Sequence, residues 1–164
     1  MTSAYDRTPE RPMAFAPAEF WRGALTAWGV FVLILVVGIF LTTVAAGEQP
    51  GWGQPLPLAL LSSGYALVLG GLVSGAVVLI ISPLARLLGR ALAGVRNVWI
   101  HLVAFAVLGG AIGLAVVFVQ YLQTNRTGLG MFSNSWTWVV VGVCSVSVAA
   151  GWAHAAFRAL RTRS

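Results

Sequence analysis

Four apolar stretches, none with an aspartate, glutamate, lysine or arginine, constrain this chain more than any other feature. They cover residues 24–46, 58–82, 98–122 and 135–157. A helix of about 20 apolar residues is long enough to cross the roughly 30 Å hydrocarbon core of a bilayer. The sequence therefore predicts an all-α, polytopic membrane protein that folds as an antiparallel bundle of four transmembrane helices.

The composition agrees with a membrane protein and excludes several soluble classes. Of the 164 residues, 59% are hydrophobic and only 9% are charged, against about 25% charged residues in a typical soluble domain. This composition argues against a disordered chain, a cytosolic enzyme and a secreted domain held by disulfides. The single cysteine, Cys144, has no partner for an internal disulfide, and its apolar surroundings in the sequence indicate a small packed side chain.

The first stretch has two interpretations, a signal peptide or a retained membrane helix. Val44-Ala45-Ala46 resembles the small-residue cleavage site of a signal peptide. However, the apolar core is about 20 residues long, beyond the 7–15 usual for signal peptides, and the region before it contains three acids. We therefore expect an uncleaved first transmembrane helix.

The segments outside the four stretches are short. Residues 1–23 have mixed charge and several prolines, which is typical of a partly disordered tail, and residues 158–164 form a basic C-terminal tail. We expect Pro83 to end the second transmembrane helix, because proline disrupts a helix interior. Three polar residues are candidate N-caps of the fourth helix: Ser133, Asn134 and Ser135.

The basic link at residues 83–97 has two interpretations. In the first, it is a short amphipathic helix on the membrane surface, with arginines opposite an apolar face. That apolar face would consist of Leu84, Leu88, Leu92 and Val95. In the second, it is an extension of the second transmembrane helix that frays into a basic turn. Gly89 and Gly94 weaken the first interpretation, because glycine disfavours helix.

The arginines predict the orientation of the chain. With four transmembrane helices, the N-terminus, the 83–97 link and the C-terminus share one side, and these segments carry nine of the ten arginines. Positive charge accumulates on the cytoplasmic side of membrane proteins, so both termini should be cytoplasmic. Trp21, Trp99 and Trp152 would then lie near the inner membrane interface, where aromatic residues are enriched.

The same arginines indicate the surroundings of the chain. Arginine without lysine, together with many Ala, Gly and Val residues, is typical of a high-GC bacterial coding bias, which predicts a bacterial cytoplasmic membrane. We expect seven arginines to set the topology and to meet anionic lipid headgroups on the cytoplasmic face. They are Arg22, Arg86, Arg90, Arg96, Arg158, Arg161 and Arg163. No nucleic-acid-binding module is visible, so no nucleic acid partner is expected.

Small residues recur at a spacing of four inside the apolar stretches, which lets helix backbones approach closely in lipid. The predicted helix-packing residues are Gly70, Gly71, Ser74, Gly75, Gly109, Gly110, Gly113, Ser147 and Gly151. A hairpin of the second and third helices could bring their Gly-Gly pairs together at mid-bilayer. The segments 68–71 and 107–110 both read Val-Leu-Gly-Gly, and this likeness is either an inverted repeat or a coincidence.

Residues that carry out chemistry are scarce. The acids all lie in the N-terminal tail or the first external loop, and no nucleophile-base pair or metal-ligand cluster is visible. His101 and His154 are the only pair that could ligate a cofactor, a haem iron held between two imidazoles. The alternative is that each is a polar residue at the membrane interface. The sequence therefore predicts no enzyme, no metal and no cofactor.

Two classes of function remain. The first is a non-enzymatic accessory, assembly or scaffold subunit that packs against other membrane proteins. The expected partners of the chain are other membrane proteins or further copies of itself. The second is a small transporter or channel component for an apolar or lipidic molecule. Ion-coupled transporters usually place an ionisable residue within the membrane, and the absence of such a residue from the four stretches favours the first class.

Overall fold

The computed structural model describes residues 17–46, 55–95, 97–123 and 130–161, which are helical apart from short turns and contain no strand. The helices are α1 (Pro17–Ala46), α2 (Pro55–Tyr65), a π-helical segment (Ala66–Gly70), α3 (Gly71–Ala91), α4 (Val98–Gln123), α5 (Gly130–Ser133) and α6 (Ser135–Arg161). Four helices are long and apolar enough to cross a membrane. For the described residues, the predicted all-helical class is confirmed, and so is the predicted number of helices that are long and apolar enough to span a membrane.

Two of the long helices begin at asparagine caps. The Asn134 side-chain oxygen accepts a hydrogen bond from the Trp136 backbone N–H at 3.0 Å, and Asn97 does the same for Trp99 at 3.0 Å. Asparagine suits this position because its side chain satisfies an N–H that has no partner within the helix. The structure thus selects Asn134 from the three predicted caps. The sequence around Asn97 follows the same pattern that indicates a helix cap, a polar residue directly before an apolar run.

The second membrane-spanning helix is continuous over residues 55–91, and we call it span two. The prediction that Pro83 ends this helix is wrong, because Pro83 lies inside α3. A proline has no N–H to donate to the carbonyl four residues earlier, that of Leu79. The Ser82 hydroxyl donates to that carbonyl at 3.0 Å instead. Serine side chains commonly replace the hydrogen bonds that proline removes within membrane helices.

The link at 83–97 therefore follows the second of its two interpretations. Residues 83–91 continue span two, and a turn at residues 92–94 follows. The backbone N–H of Leu92 still donates to the Leu88 carbonyl at 3.0 Å, and that of Val95 donates to the Leu92 carbonyl at 2.8 Å. The chain thus leaves the helix through a tight turn and enters α4 at the Asn97 cap.

The main contacts between the four long helices follow the order span two, α1, α6, α4, and we call this order the row. Span two packs chiefly against α1, α1 packs also against α6, and α6 packs against α4. One end of the row carries the start of α1 and the ends of α3 and α6, because Arg86 contacts Phe20 and Trp21 while Gly23 contacts Gly151. We call this the arginine end. A small core of Phe105, Trp152 and Ala156 also lies towards it, and Ala85 and Leu88 of span two pack against this core.

Candidate functional site

The contact between α4 and α6 is a contact of backbones. A Cβ atom placed on Gly109 would lie 2.5 Å from the Cys144 carbonyl oxygen and 2.9 Å from the Ser145 Cα. A Cβ atom on Gly113 would lie 2.9 Å from the Val141 Cα. Backbone atoms within a helix have no rotamer by which to withdraw. Only glycine permits this approach, which is how small residues hold membrane helices together.

A second glycine contact joins α1 to α6. A Cβ atom on Gly151 would lie 2.5 Å from the Gly23 carbonyl oxygen and 2.6 Å from the Ala27 Cβ. Gly23 and Ala27 are not among the predicted packing residues, although their spacing of four is the same signal on α1. Ser147 is buried, and its hydroxyl donates to the Val143 carbonyl of its own helix at 2.7 Å.

The contact between α1 and span two is of a different kind, because Trp28 inserts between the helices. The Trp28 Nε1–H lies 3.1 Å from the Gly71 carbonyl oxygen and 3.1 Å from the Ser74 Oγ. A Cβ atom on Gly75 would lie 3.6 Å from this same nitrogen. The small residues Gly71, Ser74 and Gly75 therefore leave room on α3 for the indole ring of Trp28. They also place acceptors beside the indole N–H, which lipid would not provide.

Two further contacts lie along this same pair of helices. The hydroxyl groups of Thr43 and Ser62 are 3.4 Å apart. A Cβ atom on Gly70, the last residue of the π-helical segment, would lie 2.6 Å from the Leu35 Cδ2. Span two thus meets α1 through side chains along its length, whereas α6 meets both its neighbours through backbone.

The expected meeting of the Gly-Gly pairs of the second and third helices is not what the structure shows. Gly71 faces Trp28 of α1, while Gly109 and Gly110 face Cys144 and Ser145 of α6. A spacing of four creates a shallow groove on a helix, but it does not specify which helix enters that groove. Trp28 occupies the groove of span two. The two Val-Leu-Gly-Gly segments therefore have different partners and different packing chemistry.

His101 is packed within the protein. Its side chain is completely buried, and its ring stacks on the Trp152 ring with 5.2 Å between centroids and 9° between planes. Nε2 lies 2.9 Å from the Val95 carbonyl oxygen. Because a carbonyl can only accept, Nε2 carries the proton. The imidazole thus ties the turn before α4 to α4 itself, and its ring contacts α6.

This geometry offers no support for the haem hypothesis. The Nε2 atom of His101 is already engaged by Val95, while His154 lies at an exposed position on α6. Trp152 is 6% exposed and contacts Phe105 as well as His101. Trp152 therefore faces the interior of the protein, whereas Trp99, predicted for the same interface, is 70% exposed. A position near a helix end does not show which way a tryptophan faces.

The predicted arginines differ in their surroundings. The Arg86 guanidinium carbon lies 4.9 Å from the centre of the Phe20 ring and 5.3 Å from that of the Trp21 ring. Arg22, Arg90 and Arg158 are exposed. Three positions lie outside the described side chains: Arg96, Arg161 and Arg163. Arg86 is thus the one predicted arginine whose contacts with aromatic rings are resolved.

No protein-family description, curated protein or solved structure matches this chain.

Proposed function

We propose that this chain is a non-enzymatic accessory, assembly or scaffold subunit of a bacterial cytoplasmic membrane, and that it acts by packing against other membrane proteins. The observation that carries the proposal is a set of glycines on the outside of the row with nothing near them. A Cβ atom on any of them would meet no atom within 4 Å apart from the neighbouring backbone of its own helix. They are Gly29, Gly38, Gly64 and Gly142.

Within the chain, glycine serves close approach. Gly109, Gly113 and Gly151 each lie against the backbone of a neighbouring helix. A helical glycine that contacts no neighbouring helix only destabilises its own helix, by about 1 kcal/mol relative to alanine. Outward glycines such as Gly64 and Gly142 therefore suit the approach of a helix that belongs to another chain.

The row of helices supports the same proposal. Away from the arginine end, span two packs chiefly on α1, and α4 packs chiefly on α6, so each outer helix keeps a broad exposed surface there. Leu60, Val68 and Leu72 flank Gly64 on span two, and each is more than half exposed. This surface offers a partner helix an apolar face with a notch at Gly64.

The interior offers little to an ion-coupled transporter. In the described helices, every acidic or basic residue lies at the arginine end: Glu19, Arg22, Arg86, Arg90, Arg158 and Arg161. The contact between α4 and α6 is closed at backbone distance along Gly109 and Gly113. These features support a packing role over transport of a charged substrate.

The proposal includes a topology. Neighbouring helices run antiparallel, and the arginine end faces the cytoplasm with both termini. The described arginines support this arrangement because all of them lie at one end. The positive-inside rule assigns such an end to the cytoplasm.

The test is purification of the chain at its native copy number from membranes in a mild detergent. We expect a second membrane protein to co-purify in a fixed ratio. Reproducible isolation of a homo-oligomer with no second protein would contradict the accessory role and would favour the alternative, a transporter or channel component for an apolar or lipidic molecule.

A further inference from the structure

Arg86 has an unusual position for a charged side chain. Its guanidinium lies over the edge-to-face pair formed by Phe20 and Trp21, whose ring centroids are 6.0 Å apart. The Nε atom is buried and has no hydrogen-bond acceptor among the described residues. The side chain as a whole is only half-buried, and its two terminal nitrogens are not among the buried atoms. An acceptor from outside the chain would therefore bind at these terminal nitrogens, since the described part of the chain encloses Nε and offers it no acceptor.

The other charged residues nearby do not share this feature. Glu19, the only acid among the described residues, takes part in other interactions, and so do Arg90 and Arg158. Arg86 differs because aromatic rings cover the face of its guanidinium. A guanidinium covered in this way still directs its N–H groups outward in its own plane, the geometry that binds two oxygens of one phosphate.

The surroundings of Arg86 indicate a phosphate that carries acyl chains. Leu79 precedes Arg86 by seven residues, so it lies on nearly the same face of α3, and it is 61% exposed. Leu87, next to Arg86, is 60% exposed. On α1, Leu25 lies one turn beyond Trp21 and is 60% exposed. An amphiphile with its phosphate at Arg86 would thus find apolar surface on both helices.

We infer that Arg86, Phe20 and Trp21 form a binding site for the phosphate group of an anionic phospholipid, at the seam between α1 and α3. Arg86 supplies the in-plane N–H donors, the two rings hold the guanidinium in place, and the leucines contact the acyl chains. The excess of basic residues at this end favours a lipid with net negative charge over a zwitterionic one. The inference rests on the proposed membrane embedding and is independent of the protein partner.

The test measures thermal unfolding of the purified full-length chain in mild detergent, titrated separately with phosphatidylglycerol, phosphatidylcholine and inorganic phosphate. We expect phosphatidylglycerol to raise the unfolding temperature at lower concentration than phosphatidylcholine, and inorganic phosphate to leave it unchanged. Stabilisation by inorganic phosphate alone would overturn the lipid assignment. Equal responses to both lipids would overturn the preference for anionic lipid.

Two variants locate the site. Arg86→Gln should raise the concentration of phosphatidylglycerol needed for half the effect at least about tenfold, since a hydrogen bond to a charged group contributes about 1.5–3 kcal/mol. Arg158→Gln removes an exposed arginine from α6 at the same end and should change this concentration less than Arg86→Gln does. Equal losses in both variants would show a general charge effect and overturn the site.

A third variant, Arg86→Lys, tests the site even if Arg86→Gln does not fold. Arg86→Lys keeps the charge but loses the planar donor group, and it should bind phosphatidylglycerol more weakly than the wild type. Unchanged binding in Arg86→Lys would contradict the proposed geometry. A homo-oligomer in the co-purification experiment would contradict the accessory role without changing any of these lipid titrations.

Discussion

Gly109 lies where the backbones of α4 and α6 touch, and its missing side chain is what permits the contact. A methyl group there would lie 2.5 Å from the Cys144 carbonyl oxygen, so the helices must separate to admit it. We predict that Gly109→Ala lowers the free energy of unfolding by about 1–3 kcal/mol, the usual range for overpacking. Equilibrium unfolding in mild detergent measures this change.

Gly142 provides the matched control, because it is a glycine of α6 with nothing within 4 Å. Gly142→Ala should leave the free energy of unfolding unchanged or raise it by up to about 1 kcal/mol, the difference in helix propensity. If the two variants behaved alike, the close contact at Gly109 would play no part in stability.

His101 combines a hydrogen bond with ring stacking, and two variants separate these contributions. His101→Phe keeps a ring against Trp152 but leaves the Val95 carbonyl without its donor, so we predict a loss of about 1–3 kcal/mol. His101→Ala also leaves a cavity and should cost more. Thermal unfolding ranks the variants, and a His101→Phe variant as stable as the wild type would refute the role of the hydrogen bond.

At the level of the element, the existence and approximate bounds of the membrane-spanning helices follow from the sequence. Long uncharged runs predict them because lipid leaves the backbone few alternatives to helix. The residue at which span two ends, however, does not follow from the apolar pattern. Pro83 by itself predicts a helix end, yet the helix continues to Ala91, and the hydroxyl of the preceding Ser82 donates to the Leu79 carbonyl that the proline leaves without a donor.

This compensation predicts a coupling between Ser82 and Pro83. Ser82→Ala leaves the Leu79 carbonyl without a donor, so we expect a loss of about 1 kcal/mol in the free energy of unfolding. In a Pro83→Ala background the backbone N–H returns, and Ser82→Ala should then have little effect. A double-mutant cycle in detergent measures the coupling. Additive effects of the two substitutions would contradict this explanation.

Which helix packs against which follows less directly from the sequence than the helices themselves. The spacing of four predicts a helix contact at Gly71 and at Gly109 alike. In the structure, Gly71 faces the ring of Trp28, whereas Gly109 faces the backbone of α6. The difference depends on Trp28, a large residue on another helix whose direction the sequence does not reveal. The same holds for Arg86, since the contact with Phe20 and Trp21 joins residues far apart in the chain.

At the scale of the whole molecule, the distribution of arginine predicts the orientation. Nine of the ten arginines lie in segments that four membrane-spanning helices place on one side. We predict that a reporter active only in the cytoplasm, fused after Ser164, gives full signal, while the same reporter in the loop between α4 and α5 gives none. The reverse pattern would contradict the orientation.

The proposed role also belongs to the whole molecule, because it depends on which faces the row of helices leaves open. Gly64 on span two and Gly142 on α6 lie on such faces and have no neighbour within 4 Å. A leucine at each position would fill the notch, and its Cβ atom would meet no atom of another helix within 4 Å. The outer face of α4 supplies a control position in Ala115, which is exposed.

The most direct measurement is quantitative co-purification from native membranes of the wild type, the double variant Gly64→Leu with Gly142→Leu, and Ala115→Leu. We predict that wild type and Ala115→Leu retain a second membrane protein in the same fixed ratio, and that the double variant loses most of it while keeping its own unfolding temperature. Full retention of the partner by the double variant, or no partner in any sample, would contradict the proposed packing role.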